Sequence, residues 1–265
     1  MTAIAVTIAG SDSGGGAGIQ ADLKTFSALG VYGASVVTAL TAQNTLGVAA
    51  IHEAPPAFVR AEIDAVFSDL EVGAVKIGML AGRDLIGVVA DGLRRYEQSR
   101  VVLDPVMVAT SGDPLLKAEA VQTLRDELFP LASLITPNLP EAGWLLERPV
   151  GDSREAMLVA ARELLSLGPK AVLIKGGHGE GEESADLLLD ASGPRWFTAP
   201  RHRTRNTHGT GCTLSSAIAA GLAKGAGLET AVADAKAYVT AAIVAADRLK
   251  IGEGHGPVHH FHAWW

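Results

Sequence analysis

Along this chain a short apolar, β-branched run repeatedly stops at a glycine or a small polar residue and gives way to an amphipathic stretch. Residues 3–9 (AIAVTIA) end in Gly10-Ser11-Asp12-Ser13-Gly14-Gly15-Gly16, and Ile19, Leu23, Phe26 and Leu29 follow at helical spacing before Gly30. Apolar residues three and four apart define one face of a helix, and a glycine just past the end closes it. The pattern recurs: an apolar run at 34–40 precedes Pro55-Pro56, which open an amphipathic helix to about Leu70 from the first turn, where prolines are tolerated. Residues 72–77 and 101–103 read as buried strands that end at Gly78-Met79 and Asp104-Pro105. Further strands are predicted at 133–136, 171–174, 185–189 and 195–199, and helices at 83–98, 117–129, 153–167, 210–224 and 228–248. This alternation predicts an α/β fold with a mostly parallel central sheet and helices on both faces. With no internal repeat, low-complexity tract or long linker, residues 1–265 are expected to form a single domain.

Composition narrows the function. Lys and Arg number 22 against 29 Asp and Glu, so the formal charge is −7, the wrong sign for a protein that binds nucleic acid by neutralising phosphates. Hydrophobic residues make up 48% of the chain, which argues against disorder and supplies a large core. A lone cysteine, Cys212, excludes an intramolecular disulfide and fits a reducing cytosol. No apolar run reaches the roughly 18 residues of a membrane span, and no Lys or Arg precedes Lys24, so neither a membrane anchor nor a secretory leader is expected. The reading is a cytoplasmic protein.

In an open α/β sheet, ligands sit beyond the carboxyl ends of the strands. The segments at those ends are unusually polar: Gly10-Ser11-Asp12, Thr41 to Asn44, Lys76 to Met79, Asp104-Pro105, Thr136-Pro137-Asn138, Lys175-Gly176-Gly177 and Asn206 to Cys212. The sharpest signal is Asn206-Thr207-His208-Gly209-Thr210-Gly211-Cys212-Thr213 ahead of an Ala-rich helix. A glycine turn feeding a helix turns unpaired N–H groups toward one point, where the helix dipole also favours negative charge. The plain alternative is a flexible loop capped by Thr213. A P-loop motif is missing, and Gly14 to Gly18 does not fit the dinucleotide pattern because position 19 is Ile.

The segments from Ile8 to Lys24, Thr41-Ala42-Gln43-Asn44, Lys76-Ile77-Gly78-Met79, Asp104-Pro105-Val106-Met107, Thr136 to Ala142 and Thr207 to Cys212 together resemble the hydroxymethylpyrimidine/phosphomethylpyrimidine kinases of thiamine biosynthesis, in the same order along the chain. The resemblance implies a ribokinase-like three-layer sandwich and an enzyme using ATP and Mg²⁺. It would phosphorylate 4-amino-5-hydroxymethyl-2-methylpyrimidine and then its monophosphate. Whether a monovalent cation assists is left open, and a homodimer is expected.

On that reading the amides of Gly209, Thr210, Gly211 and Cys212 form the anion hole. Cys212, with its pKa lowered by the helix N-terminus, is the base for the alcohol proton, although a lone cysteine is also a common small hydrophobe. Lys175, Asn138 and Thr207 contact the nucleotide, and Asn138, Glu141 and Asp104 serve Mg²⁺. Asn138 and Glu141 also satisfy the spacing of a helix-capping box. Gln43 and Asp22 hydrogen-bond the aminopyrimidine, while Gly10, Met79 and Val106 wall its pocket.

Arg201 to Arg205 are read as a steering patch or a solvated loop, and Gly14 to Gly18 with residues 107–115 as mobile lid segments. Phe261, Trp264 and Trp265 of the His-bearing tail are expected to pack on the domain or on a second subunit. Two rival functions remain at this level. One is a pyridoxal kinase, alone or as a second activity; the other is a non-catalytic pyrimidine-phosphate-binding protein.

Overall fold

The computed structural model describes residues 2–107, 120–177 and 181–265. Its centre is an eight-stranded sheet in the order β10-β9-β8-β7-β6-β5-β1-β2. These strands are β1 (Ile4–Ala9), β2 (Tyr32–Val37), β5 (Ala74–Ile77), β6 (Val101–Leu103), β7 (Leu134–Ile135), β8 (Val172–Ile174), β9 (Glu183–Asp190) and β10 (Gly193–Pro200). All neighbours from β2 to β8 are parallel, and β9 and β10 append an antiparallel edge.

Both faces of the sheet are buried because alternate side chains of each strand enter two separate cores. Val6, Ile8, Val75, Ile77, Val101 and Leu103 belong to one core, with α2 (Pro56–Phe67), α3 (Arg83–Arg95), α4 (Ala120–Glu127), α5 (Leu139–Leu146) and α6 (Arg154–Leu165) on that side. Ala5, Ala74, Val102, Leu134 and Leu173 face the other core, with α1 (Gly18–Ala28), α7 (Thr210–Ala223) and α8 (Leu228–Val244). This is the period-two pattern of strands covered on both sides.

The run at 34–40 proves to be two strands. β2 stays in the main sheet, whereas β3 (Ala39–Asn44) leaves it and pairs antiparallel with β4 (Gly47–Glu53). β4 escapes a sequence reading because its residues are exposed or only partly buried, so no hydrophobic alternation marks them. Of the short helix α5 the sequence marks only the first turn. Residues 117–119 of the expected helix at 117–129 and residues 108–115 of the expected lid lie outside the described residues. Among the described residues no helix is long and apolar enough to cross a membrane.

Strand order reverses at β1, with β2 on one side and β5 on the other. Such a switch point opens a crevice at the carboxyl ends of the strands.

Candidate active site

A cavity of about 630 Å³ occupies that crevice. Gly10, Gln43, Met79 and Val106 line it, and so do Asp104, Asn138, Glu141, Lys175, Thr207 and the Gly209–Cys212 turn. Residues from several strand-end loops therefore converge, as the strand-end argument requires. A Cβ on Gly10 would lie 3.0 Å from the Met79 sulfur, so a side chain there would press on that wall of the cavity.

The anion turn is built by two glycine loops locked together. Gly209 caps α7 at φ 78°, in the left-handed region, and a Cβ on it would stand 1.9 Å from the Gly16 carbonyl oxygen. The partner loop winds around one carboxylate. Asp12 accepts hydrogen bonds from the amides of Gly14 (2.8 Å), Gly16 (3.0 Å) and Ala17 (2.8 Å), and its Oδ2 lies 2.8 Å from Nε2 of His208. Burial pushes this carboxyl up, but its bonds to His208 and to the Ala17 and Gly14 amides outweigh that and hold it below its ordinary value. Three amides of the Gly14 to Gly18 segment thus share one carboxylate.

The C-terminal tail supports the same turn. The backbone amide of His208 donates to Gly256 O at 3.0 Å, and His260 Nε2 lies 3.1 Å from Thr213 Oγ1. Within the tail Val258, His259 and His260 are buried, while Trp264 and Trp265 are 71% and 65% exposed, and Trp265 rests against His259 and Phe261. A β-bridge from His208 to Pro257 draws the histidine-bearing backbone inward. Burial pushes His260 down to about 3, so it is a neutral hydrogen-bonding ring.

Opposite the turn sits a second charged group of residues. Lys175 Nζ donates to Asp104 Oδ1 at 2.8 Å and lies 3.7 Å from Glu141 Oε2. Thr136 Oγ1 donates to the same Asp104 oxygen at 2.9 Å. A Cβ on Gly211 would stand 3.3 Å from Lys175 Nζ, which places the ammonium beside the anion turn. Asn138 and Glu141 form the expected capping box, each side chain taking the other's amide at 2.8 Å. The Asn138 oxygen that a cation would seek is thereby engaged. Burial pushes Glu141 up to about 7 despite Lys175, whereas Lys175 and Lys76 overcome the burial of Asp104 and hold it low.

Two expectations fail here. Asp22 does not reach the pyrimidine pocket: it is fully buried, accepts from Thr7 Oγ1 and Ser216 Oγ at 2.6 Å each, and pairs with Lys76 Nζ at 2.8 Å. Helix α1 turns this carboxylate toward the sheet, where Thr7 and Lys76 are cross-strand neighbours. Nor does the helix N-terminus lower the Cys212 pKa. Enclosure by protein dominates and raises the thiol to about 11, with Lys76 opposing.

The sequence model of the phosphomethylpyrimidine kinase family matches residues 12–259. The chain belongs to this family. A hydroxymethylpyrimidine/phosphomethylpyrimidine kinase of Rhizobium meliloti is 61% identical over 100% of this chain and 99% of its own length. Among solved structures, a phosphomethylpyrimidine kinase of Clostridium difficile superposes with TM-score 0.80 at 45% identity, covering 91% of this chain and 99% of that one. An ADP complex of Bacillus subtilis pyridoxal kinase superposes with TM-score 0.92 at 37% identity over 99% of both chains. The fold is ribokinase-like, and this member of the phosphomethylpyrimidine kinase family is a kinase.

Asp12, Lys76 and His208 stand inside the motifs that resemble this kinase family, yet sequence alone gives them no roles. Asp186 and Lys236 it misses altogether. Both line the cavity, paired at 2.8 Å, and Asp186 accepts the Gly176 amide at 2.9 Å. A charge inside the apolar run Ala185 to Leu189 is the available signal. Arg201 also lines the cavity and donates to Gly181 O at 2.7 Å, so it braces a loop as well as facing the site.

Proposed function

We propose that this kinase transfers the γ-phosphoryl group of ATP to 4-amino-5-hydroxymethyl-2-methylpyrimidine, and then a second to the monophosphate, giving the diphosphate for thiamine biosynthesis. The observation that carries this reading is the shared cavity that joins the Gly10, Gln43, Met79 and Val106 wall to the Lys175 and Gly209–Cys212 cradle.

Phosphoryl transfer needs an in-line acceptor and charge stabilisation more than covalent help. Gln43 hydrogen-bonds the aminopyrimidine edge, with its Oε1 already oriented by Thr41 Oγ1 at 3.0 Å. The acceptor hydroxyl then faces Cys212. As the new O–P bond forms and the bond from the γ-phosphorus to its bridging oxygen breaks, ADP leaves and the hydroxyl proton passes to the Cys212 sulfur. With a raised pKa the thiolate is scarce but strongly basic, so this step climbs with pH. The second acceptor is an ionised phosphate and needs no base. The amides of Gly209, Thr210, Gly211 and Cys212 meet the migrating group, Lys175 pairs with the β- and γ-phosphates, and Asn138 and Thr207 contact the nucleotide.

Among the described residues no three His, Cys, Asp or Glu side chains converge as a metal-ion cage. Two oxygen-bearing carboxylates beside a phosphate site do fit Mg²⁺, which keeps several waters and takes few protein ligands. Asp104 and Glu141 would hold it, and when bound it neutralises phosphate charge. The enzyme works in the cytoplasm as one domain spanning 1–265. A homodimer is supported by apolar side chains that the β3–β4 hairpin leaves exposed, among them Leu40, Leu46 and Ile51.

The test is turnover of the purified protein with hydroxymethylpyrimidine, its monophosphate and pyridoxal as separate acceptors. Phosphorylation of the first two is expected. Turnover of pyridoxal alone would replace this reading with that of a pyridoxal kinase, the activity for which the structurally similar Bacillus subtilis protein is named.

A further inference from the structure

Lys76 is fully buried, and its side chain points to the α1–α7 side of the sheet. A cation in such a place needs a counter-charge and a full set of hydrogen bonds. Asp22 supplies the charge at 2.8 Å, and Asp22 is fixed in turn by Thr7 of β1 and Ser216 of α7. Ser216 stands four residues after Cys212 on the same helix, and positions four apart share a helix face. Lys76 and Cys212 both line the cavity. Gly78 leaves the space this arrangement needs, since a Cβ there would stand 2.8 Å from Lys76 Nζ.

We infer that Lys76 is a positioning residue for phosphorylation of the alcohol: its ammonium, aimed by Asp22, supplies the positive charge against which the Cys212 sulfur carries negative charge. This rests on Cys212 being the base. Other charged groups face the sulfur too. Asp22 on α1 and Asp104 after β6 oppose a thiolate, while the Gly18 amide donates to it. Lys175 after β8 also senses the sulfur. Of these influences that of Lys76 is the largest after burial itself, and unlike Lys175, which pairs with Asp104 beside the anion turn, Lys76 is paired with Asp22.

Cys212 is the single cysteine, so alkylation by iodoacetamide reports its thiolate without ambiguity. The experiment compares wild type, K76M and the charge-balanced double variant K76M/D22N, following alkylation rate against pH and turnover with each acceptor. In K76M the alkylation profile moves to higher pH, and at pH 8 the rate falls roughly tenfold. The double variant shows a smaller fall in the same direction, and it serves if K76M does not fold. Turnover of the alcohol drops roughly tenfold in K76M while that of the monophosphate stays within about twofold. Alkylation profiles superimposed on wild type in a folded variant overturn the role of Lys76. Failure of the base assignment is read separately, from Cys212→Ala: equal loss on both acceptors there removes the base, whatever the alkylation shows.

Discussion

Nε2 of His208 lies 2.8 Å from Oδ2 of Asp12, joining residues 196 positions apart and locking the first glycine loop onto the anion turn. Replacing Asp12 with Ala would leave three loop amides and a buried ring without their acceptor. We expect a stability loss of about 3 kcal/mol, read from urea denaturation, with a raised KM for ATP. Because the Asp12 carboxyl lies below its ordinary value of 3.8 in the folded protein, its contribution is complete above that pH. It is lost as pH falls through the lower folded value, so D12N should flatten the acid limb of the stability profile.

Cys212→Ala should separate the two reactions. Loss of a general base lowers alcohol phosphorylation by about 10²–10⁴-fold, whereas transfer to the monophosphate changes little. Each step assayed alone checks this, and in wild type only the alcohol step should keep rising between pH 7 and the thiol value of about 11.

Gly209→Ala acts on the cradle shared by both acceptors. The added Cβ has 1.9 Å to the Gly16 oxygen, so one loop must move. Both transfers should fall together by about 10²–10³-fold, which sets this variant apart from the cysteine one.

Glu141 is raised to about 7 by burial, so its ionisation costs stability as pH climbs from its ordinary value of 4.5 toward 7. In the ligand-free protein, E141Q should gain on wild type across that window by on the order of 1–3 kcal/mol. Thermal unfolding at a series of pH values gives the comparison, and a constant difference between the two proteins would refute it.

Gln43→Leu removes the polar edge of the acceptor wall without touching the Lys175 cradle. KM for hydroxymethylpyrimidine should rise by about tenfold, with KM for ATP unchanged in the same titration.

Most of the order of strands and helices, the strand-end loops and the anion turn were legible in the sequence, because hydrophobic period and glycine placement are local properties of the chain; β4 was not, because its exposed and half-buried residues carry no such period. The direction of the Cys212 shift was not, since a helix N-terminus is visible in sequence but the enclosure that outweighs it is not. Asp22 shows the same limit: its place on α1 was readable, yet only the packing of α1 against β1, β5 and α7 assigned it to Lys76 rather than to substrate. The His-bearing tail looked like aromatic packing, and it became a brace for the anion turn once His208 bridged to Pro257. Sequence alone thus determined which residue types stand at the carboxyl ends of the strands. Tertiary structure decided their partners and their charge, because burial and Coulomb interaction depend on neighbours that are distant along the chain.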